Sequence, residues 1–360
     1  VILRRHIAVR TAWAVLAALV GVVTIYLAVD YVDNSGSYTG PGAGAAVLEL
    51  YANMALVVIR QVAPAAMLLG AGVAVSGLRQ TREYTALRAA GLGPAFVAGP
   101  VIAVVLLFGL ALVALHEAWG VHAVERVDEI RAVRFNKGDS QQRLAEARAP
   151  KRWFRGKDGR HVYHLRGTTE DGGFEGVTVL ELSPDFRVLR RIDAGAMHPA
   201  DGAWALSDVV DRTFLADGSL KVEKAARRVY RFDEPADAFA VLPGNPAQMR
   251  WRTLVGQIAV RDRVGLPVSD FELERDNRLA YPLAGVPGAL LAIALALRIR
   301  RKGHVATALV ESVGVSLVFW GVQGVSWALG LSGRVPPSVA AWAPDLVFLL
   351  AGSAAVWRAR

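Results

Sequence analysis

Few residues in this chain could do chemistry, and most of those lie in or beside apolar runs. Arg60 stands inside one such run; an arginine near the centre of a bilayer costs about 2.5 kcal/mol or more unless its head snorkels or faces a polar interior. Its place about a third of the way along the run leaves both readings open. Arg126, Arg131 and Arg134 follow another run and could meet phosphate or simply line an amphipathic helix. Glu83 sits among bases in a short segment, Arg79 to Gly91. Absences matter as much. The sequence holds no cysteine, no His-Glu-x-x-His, no Gly-x-Ser-x-Gly, no paired aspartates within an apolar run and no Gly-x-x-x-x-Gly-Lys-Ser/Thr. The lack of cysteine excludes thiolate chemistry, and the missing motifs argue against an intramembrane hydrolase and against nucleotide phosphate binding by this chain. No catalytic residue, metal ligand set or cofactor is expected.

The elements that must position these residues are helices spanning a membrane. Crossing a hydrocarbon core of roughly 30 Å takes about 20 apolar residues of helix. Six runs qualify: Thr11 to Val29, Asn53 to Gly77, Pro94 to Leu115, Leu279 to Leu297, Val305 to Leu331 and Ala341 to Val356. The first is too long, and too poorly followed by small residues, for a removable signal peptide. Backbone groups at that depth need internal partners, so each run should be helical.

Basic flanks give the orientation. Arg4, Arg5, Arg10, Arg79, Arg82, Arg88, Arg298, Arg300, Arg301, Lys302, Arg358 and Arg360 fall on one side, against Arg334 alone in the opposite short loops. Lys and Arg are retained in the cytoplasm, so both termini are expected there and the long insert outside. The formal charge of +9 therefore belongs to membrane flanks, because the insert from Glu117 to Arg278 carries 27 basic and 26 acidic residues. Nucleic acid is not an implied partner.

The expected organisation is residues 1–116 with three spans, an inserted domain over 117–278 and residues 279–360 with three more. Within the insert the pattern changes to alternation. His161 to Leu165, Val177 to Leu182, Val188 to Ile192, Trp204 to Val209 and Val229 to Phe232 read as strands. Asp-Gly pairs at 158–159, 171–172, 201–202 and 217–218 supply hairpin turns. An antiparallel sandwich or open roll follows, preceded by a helix over Glu117 to Arg148 and followed by a mixed return over Pro243 to Asp276.

Between spans two and three, helical spacing groups Tyr84, Leu87 and Arg88 on one face, with Gly91 and Pro94 as a stop. Such an amphipathic helix is either a connector whose bases sit at headgroups or a docking helix for a cytoplasmic motor. In span four Ala284, Gly288, Ala292 and Ala296 recur every fourth residue, and Gly314, Gly321 and Gly324 lighten span five. Small residues let helices approach closely in lipid. Pro64 and Pro287 are candidate kinks. Glu311 in span five calls for a partner, for which Arg300 or Lys302 is the expectation.

Ala65-Ala66-Met67-Leu68-Leu69-Gly70, Thr81-Arg82-Glu83-Tyr84, Leu87-Arg88-Ala89-Ala90-Gly91 and Arg278-Leu279-Ala280-Tyr281-Pro282-Leu283, set in a layout of three spans, insert and three spans, resemble the LptF/LptG family of lipopolysaccharide export permeases. Val29-Asp30 and Gly42 to Gly44 are similar to the LptG branch. The resemblance covers nearly the whole chain. It implies an inner-membrane transport subunit, not an enzyme, with an inserted periplasmic antiparallel β-jellyroll. It also implies partners: a cytoplasmic ATP-binding subunit dimer, a paralogous six-span permease subunit, single-span and soluble periplasmic jellyroll proteins, and lipopolysaccharide.

The same resemblance makes residues 79–91 a coupling helix, with Glu83, Tyr84, Arg82, Leu87 and Arg88 facing the ATPase. It implies that Arg126, Arg131 and Arg134 are candidates to meet lipid phosphate, a role that Arg60 could share if it faces a cavity and not the interface, and that Val162, Val179 and Leu206 line a slide for acyl chains. The family's base in span one has no counterpart in Tyr26-Leu27-Ala28-Val29-Asp30, where Asp30 and Asp33 would repel phosphate without a divalent cation. Exporters that place the outer domain after the first of four spans are the nearest other class, and an assembly anchor is the non-transporting alternative.

Overall fold

The computed structural model describes residues 2–135, 152–156, 159–168, 173–200, 203–215, 218–232, 241, 245–263, 266–298 and 305–358. It divides into a helical unit (Val1–Gln141, Pro246–Trp251, Ser269–Arg360) and a β unit (Gln142–Asn245, Arg252–Val268). These bounds differ from a division at 117 and 278. The helix after span three and the one before span four are continuous with their spans and pack with them.

In the helical unit, α1 is Ile2–Asn34, α2 Ala43–Gln80, α3 Glu83–Ala89, α4 Pro94–Leu115 and α5 Val121–Val133. A single π turn, His116–Gly120, joins α4 to α5. The return contributes α6, Trp251–Arg263, which lies in the β unit after its first residue. The helical unit resumes with α7, Ser269–Leu283, α8, Gly285–Arg298, α9, Val305–Leu331, and α10, Pro337–Arg358. Six of the helical stretches are long and apolar enough to cross a membrane, which makes the chain a polytopic helical membrane protein. Residues 136–148 of the expected helix after span three lie outside the described residues.

α2 is the axis of this unit, with buried residues on all sides between Val62 and Leu78. Lipid gives no hydrophobic drive between helices, so close backbone approach must hold them. A Cβ on Gly70 would lie 2.5 Å from Val15 Cα, and one on Gly352 2.8 Å from Leu290 Cβ; α1 crosses α2, and α10 crosses α8, with no room for a side chain. The small stripe of span four is a seam of this kind, since Ala284, Ala292 and Ala296 are buried and Gly288 faces Leu68. Gly314, Gly321 and Gly324 of α9 have nothing within 4 Å.

One of the two prolines coincides with a break in its helix. Pro287 has no N–H, which releases the Leu283 carbonyl, and α7 breaks from α8 at Ala284. Pro64 stays inside α2. Beside the bond it removes, Tyr281 Oη donates to the Gln61 carbonyl at 2.7 Å.

The β unit is one antiparallel sheet in the order β1-β2-β4-β5-β6-β7, with β3 also paired to β4. The strands are β1 Arg152–Arg155, β2 His161–Leu165, β3 Gly167–Thr168, β4 Phe174–Leu182, β5 Val188–Ala200, β6 Ala203–Phe214 and β7 Leu220–Tyr230. Gly159 and Gly218, from two of the expected Asp-Gly turns, take φ of 69° and 82°. Their partners Asp158 and Asp217, and the pairs at 171–172 and 201–202, lie outside the described residues. An unpredicted turn at Ser183–Arg187 carries Phe186 at φ 59°.

The buried positions change phase along three neighbouring strands at one level. In β4 the switch falls between Phe174 and Val177, in β5 between Ala194 and Met197, and in β6 between Leu206 and Val209. Gly176 (φ 59°) and Asp208 (φ 53°) mark it, and Gly195 between them would bring a Cβ within 3.1 Å of the Asp208 carboxylate. Pairing register is kept on both sides of the switch. An aligned kink thus bends the sheet while one core continues through it, from Tyr163, Val177, Val179 and Ile192 to Met197, Trp204 and Leu206.

Candidate functional site

On α3, Tyr84 and Leu87 are buried in the core of the helical unit, while Arg82 and Arg88 are exposed. The grouping of Arg88 with Tyr84 and Leu87 therefore does not hold: the apolar pair fastens the helix, and the arginine turns to solvent. Glu83 has partners in its own chain. Its carboxylate accepts from Thr81 Oγ1 at 2.6 Å and from Arg10 Nη1 at 3.0 Å, and His6 Nε2 lies 3.3 Å away. The Thr81 hydrogen bond, with the Arg10 charge, holds its pKa below the usual carboxylate range. Gly77 makes this possible, because a Cβ there would lie 2.5 Å from the Arg10 guanidinium.

Arg60 faces a polar interior. Its guanidinium lies 3.3 Å from Glu274 Oε1 and 3.2 Å from His116 Nε2. Glu274 also accepts from Arg278 Nε at 3.1 Å, and Arg278 Nη1 lies 3.5 Å from Glu117 Oε2. α2, the π turn and α7 are thus joined by a charge-balanced network, as burial in low dielectric requires. Beside it lies a cavity of about 350 Å³ lined by Arg60, His116, Glu274, Asn277, Tyr281 and Trp327 among others.

A second cluster gathers at the opposite end of α1 from α3. Asp30 takes Tyr51 Oη at 2.7 Å and Arg131 Nη2 at 3.3 Å, and Tyr38, Tyr51 and Phe135 pack edge to face or tilted around it. The acidic residue that sequence reading set against phosphate is neutralised by a base from α5. Arg126 reaches Glu49 and Glu129 at 2.6 and 2.7 Å. Arg134 has no ion pair among the described residues, and with Arg126, Gly42, Glu49 and Ile130 it borders a cavity of about 370 Å³.

In the β unit, Val179 and Leu206 belong to the buried core. Val162 does not. It pairs with Leu180, whereas its neighbour Tyr163 pairs with Val179 and is fully buried; strand alternation puts Val162 on the other face, so its reading as inward-facing is corrected. Toward β7 the core face turns polar. Asp211 is gripped by Arg190 through contacts of 2.9 and 2.6 Å and accepts from Tyr230 Oη at 2.9 Å. Arg190 and Arg228 both lie over the Tyr230 ring. The Arg190 hydrogen bonds hold the Asp211 carboxyl below the usual range.

Glu274, His116, Glu117 and Asp211 were not singled out from sequence. Glu274 and Arg278 are four apart on an amphipathic run, which was the available signal. Nothing local pairs either with Arg60. Among the described residues no cluster of His, Asp and Glu has the arrangement of a metal site. Glu311 Oε2 is buried without a hydrogen-bond partner among the described residues, and Arg300 and Lys302 lie outside them.

Six helices long and apolar enough to span a membrane, with a β-sheet unit inserted in the sequence between spans three and four, define a polytopic helical membrane protein with a β-rich inserted domain. Residues 5–358 match the family model described as lipopolysaccharide export system permease LptF/LptG, and the chain belongs to that family. The match does not separate the two branches. A comparison with curated proteins finds no match.

Proposed function

We propose that this chain is one permease subunit of an ATP-driven exporter that extracts lipopolysaccharide from the inner membrane and passes it to a periplasmic bridge. The observation that carries the reading is the family match over residues 5–358. The geometry is in keeping with it. α1 and α9 bury the least of their surface of the six spans, and the open glycines of α9 offer a second helix close approach. A paralogous six-span subunit would complete a lipid-sized cavity there. Val29-Asp30 and Gly42 to Gly44 favour the LptG side of such a pair.

Basic flanks support a cytoplasmic position for both termini and α3. Hydrolysis belongs to a separate ATP-binding dimer, since no phosphate-binding loop is present. Arg82, Glu83 and Arg88 form the docking face of α3, with Tyr84 and Leu87 transmitting its movement to the core. Glu83 stays ionised at neutral pH and is shared with Arg10 and His6, so docking would redistribute an existing ion pair. For the lipid, Arg134, which has no ion pair among the described residues, is the base we assign to phosphate, while Arg60, Arg126 and Arg131 are already matched by Glu274, Glu49 and Asp30. Val179 and Leu206 lie in the packed core of the sheet, so acyl chains would reach them only where that core opens.

Copurification tests this. Mild detergent extraction followed by mass spectrometry of proteins and bound lipids should return a second six-span permease, a cytoplasmic ATPase and lipopolysaccharide. A chain that purifies alone and releases lipid alone would refute it.

A further inference from the structure

The chain leaves the β unit after Asn245, spends Pro246–Trp251 in the helical unit, and returns to the β unit at Arg252. Pro246-Ala247-Gln248-Met249-Arg250-Trp251 has neither the length nor the apolarity to anchor itself. Side chains of the helical unit hold it instead, at three points. Arg278, 3 % exposed on α7, donates to the carbonyls of Pro246 at 2.9 Å and Met249 at 2.6 Å. Glu117 of the π turn accepts the Trp251 N–H at 2.9 Å. Asp128 of α5 accepts from Gln248 Nε2 at 3.1 Å.

A buried arginine that gives its donors to main-chain carbonyls is a costly way to fill space, because an apolar side chain would pack there without desolvating a charge. What it supplies is direction. The guanidinium holds a bent main chain in one register, and Glu274, itself paired to Arg60 of α2, holds the guanidinium. Three separate elements grip six residues whose neighbours on both sides belong to the sheet unit. Releasing the segment requires all three grips to open together.

We propose that Pro246–Trp251 is a fixed strap: movement of α7, α5 and the π turn is imposed through it on the chain of the β unit, and Arg278 is the positioning residue that seats it. The fastening stands independently of the transport reading; only its use in transport rests on that reading.

Two measurements on the full chain decide the matter. In nanodiscs, hydrogen exchange at the Met249 to Trp251 amides should quicken by about tenfold in Arg278→Leu. Exchange in β4 to β6 should stay put, and strap exchange in Arg278→Lys should fall between. Unchanged strap exchange would overturn the fastening. Should Arg278→Leu fail to fold, Glu117→Leu against Glu117→Gln makes the same comparison, since glutamine keeps an acceptor for the Trp251 N–H.

The second measurement uses the absence of cysteine. Gln248→Cys with Asp128→Cys, joined by a short, reducible bismethanethiosulfonate bridge in the complex with its partner subunits, should leave ATP-dependent lipopolysaccharide release within about twofold. Arg278→Leu should keep ATP hydrolysis but lower release by about tenfold. Release that stops on bridging and returns on reduction would make the strap an opening latch and overturn the proposal. Release indifferent to Arg278→Leu would overturn it as well. A wild-type complex that releases no lipid would refute the transport reading, and exchange alone would then judge the strap.

Discussion

At the scale of residues, the charges gathered around Arg60, Asp30 and Asp211 are matched, and pairing decides what each group can still do. Asp211 is the clearest case for pH. Its folded pKa lies below the unfolded value of about 3.9, so its pairing adds stability above that value, lost as pH falls through the folded pKa. Asp211→Asn should cost about 1–3 kcal/mol at neutral pH, discounted because Arg190 and Arg228 are part exposed. It should also flatten the acid limb of stability against pH. Unfolding midpoints of the full chain in detergent between pH 3 and pH 7 would check both, and an unchanged acid limb would count against the pairing. Glu83→Lys should leave the fold intact, since the residue is part exposed, while ATPase binding or ATP-driven release fails; normal transport by that variant would remove Glu83 from coupling. Sequence alone singled out Arg60 and Glu83 because a charge inside or beside an apolar run is conspicuous. Their partners Glu274, His116 and Arg10 are 214, 56 and 73 residues away, and no local pattern carries such distances.

At the scale of elements, the six spans and the alternating strands were legible because each period follows from burying one face of a helix or a sheet. The π turn, the aligned kink at Gly176, Gly195 and Asp208, and the strap were not legible, since each depends on what lies opposite. Glycines show the same division. Sequence gives Gly70 and Gly314 equal standing, yet one abuts Val15 and the other abuts nothing. Gly70→Leu should wedge α1 from α2 and destabilise by about 1–3 kcal/mol or more, with loss of folded material. Gly314→Leu should leave the lone chain's stability within about 0.5 kcal/mol and weaken pairing with a second permease. Fluorescence-detected size exclusion over a temperature series, with and without the partner, separates the two; equal effects on the lone chain would contradict the assignment of α9 as an open seam.

At the scale of the whole molecule, family membership and the exposed faces of α1 and α9 support the proposal that this chain forms one half of a membrane cavity and relies on a separate ATPase. The most direct measurement is lipid release from proteoliposomes that contain lipopolysaccharide, this chain, the second permease and the ATPase, with a periplasmic acceptor added outside. Lipopolysaccharide should reach the acceptor only with hydrolysable ATP, and omission of this chain should abolish transfer. Transfer that persists without it, or a complete complex that hydrolyses ATP and moves no lipid, would contradict its role as a permease.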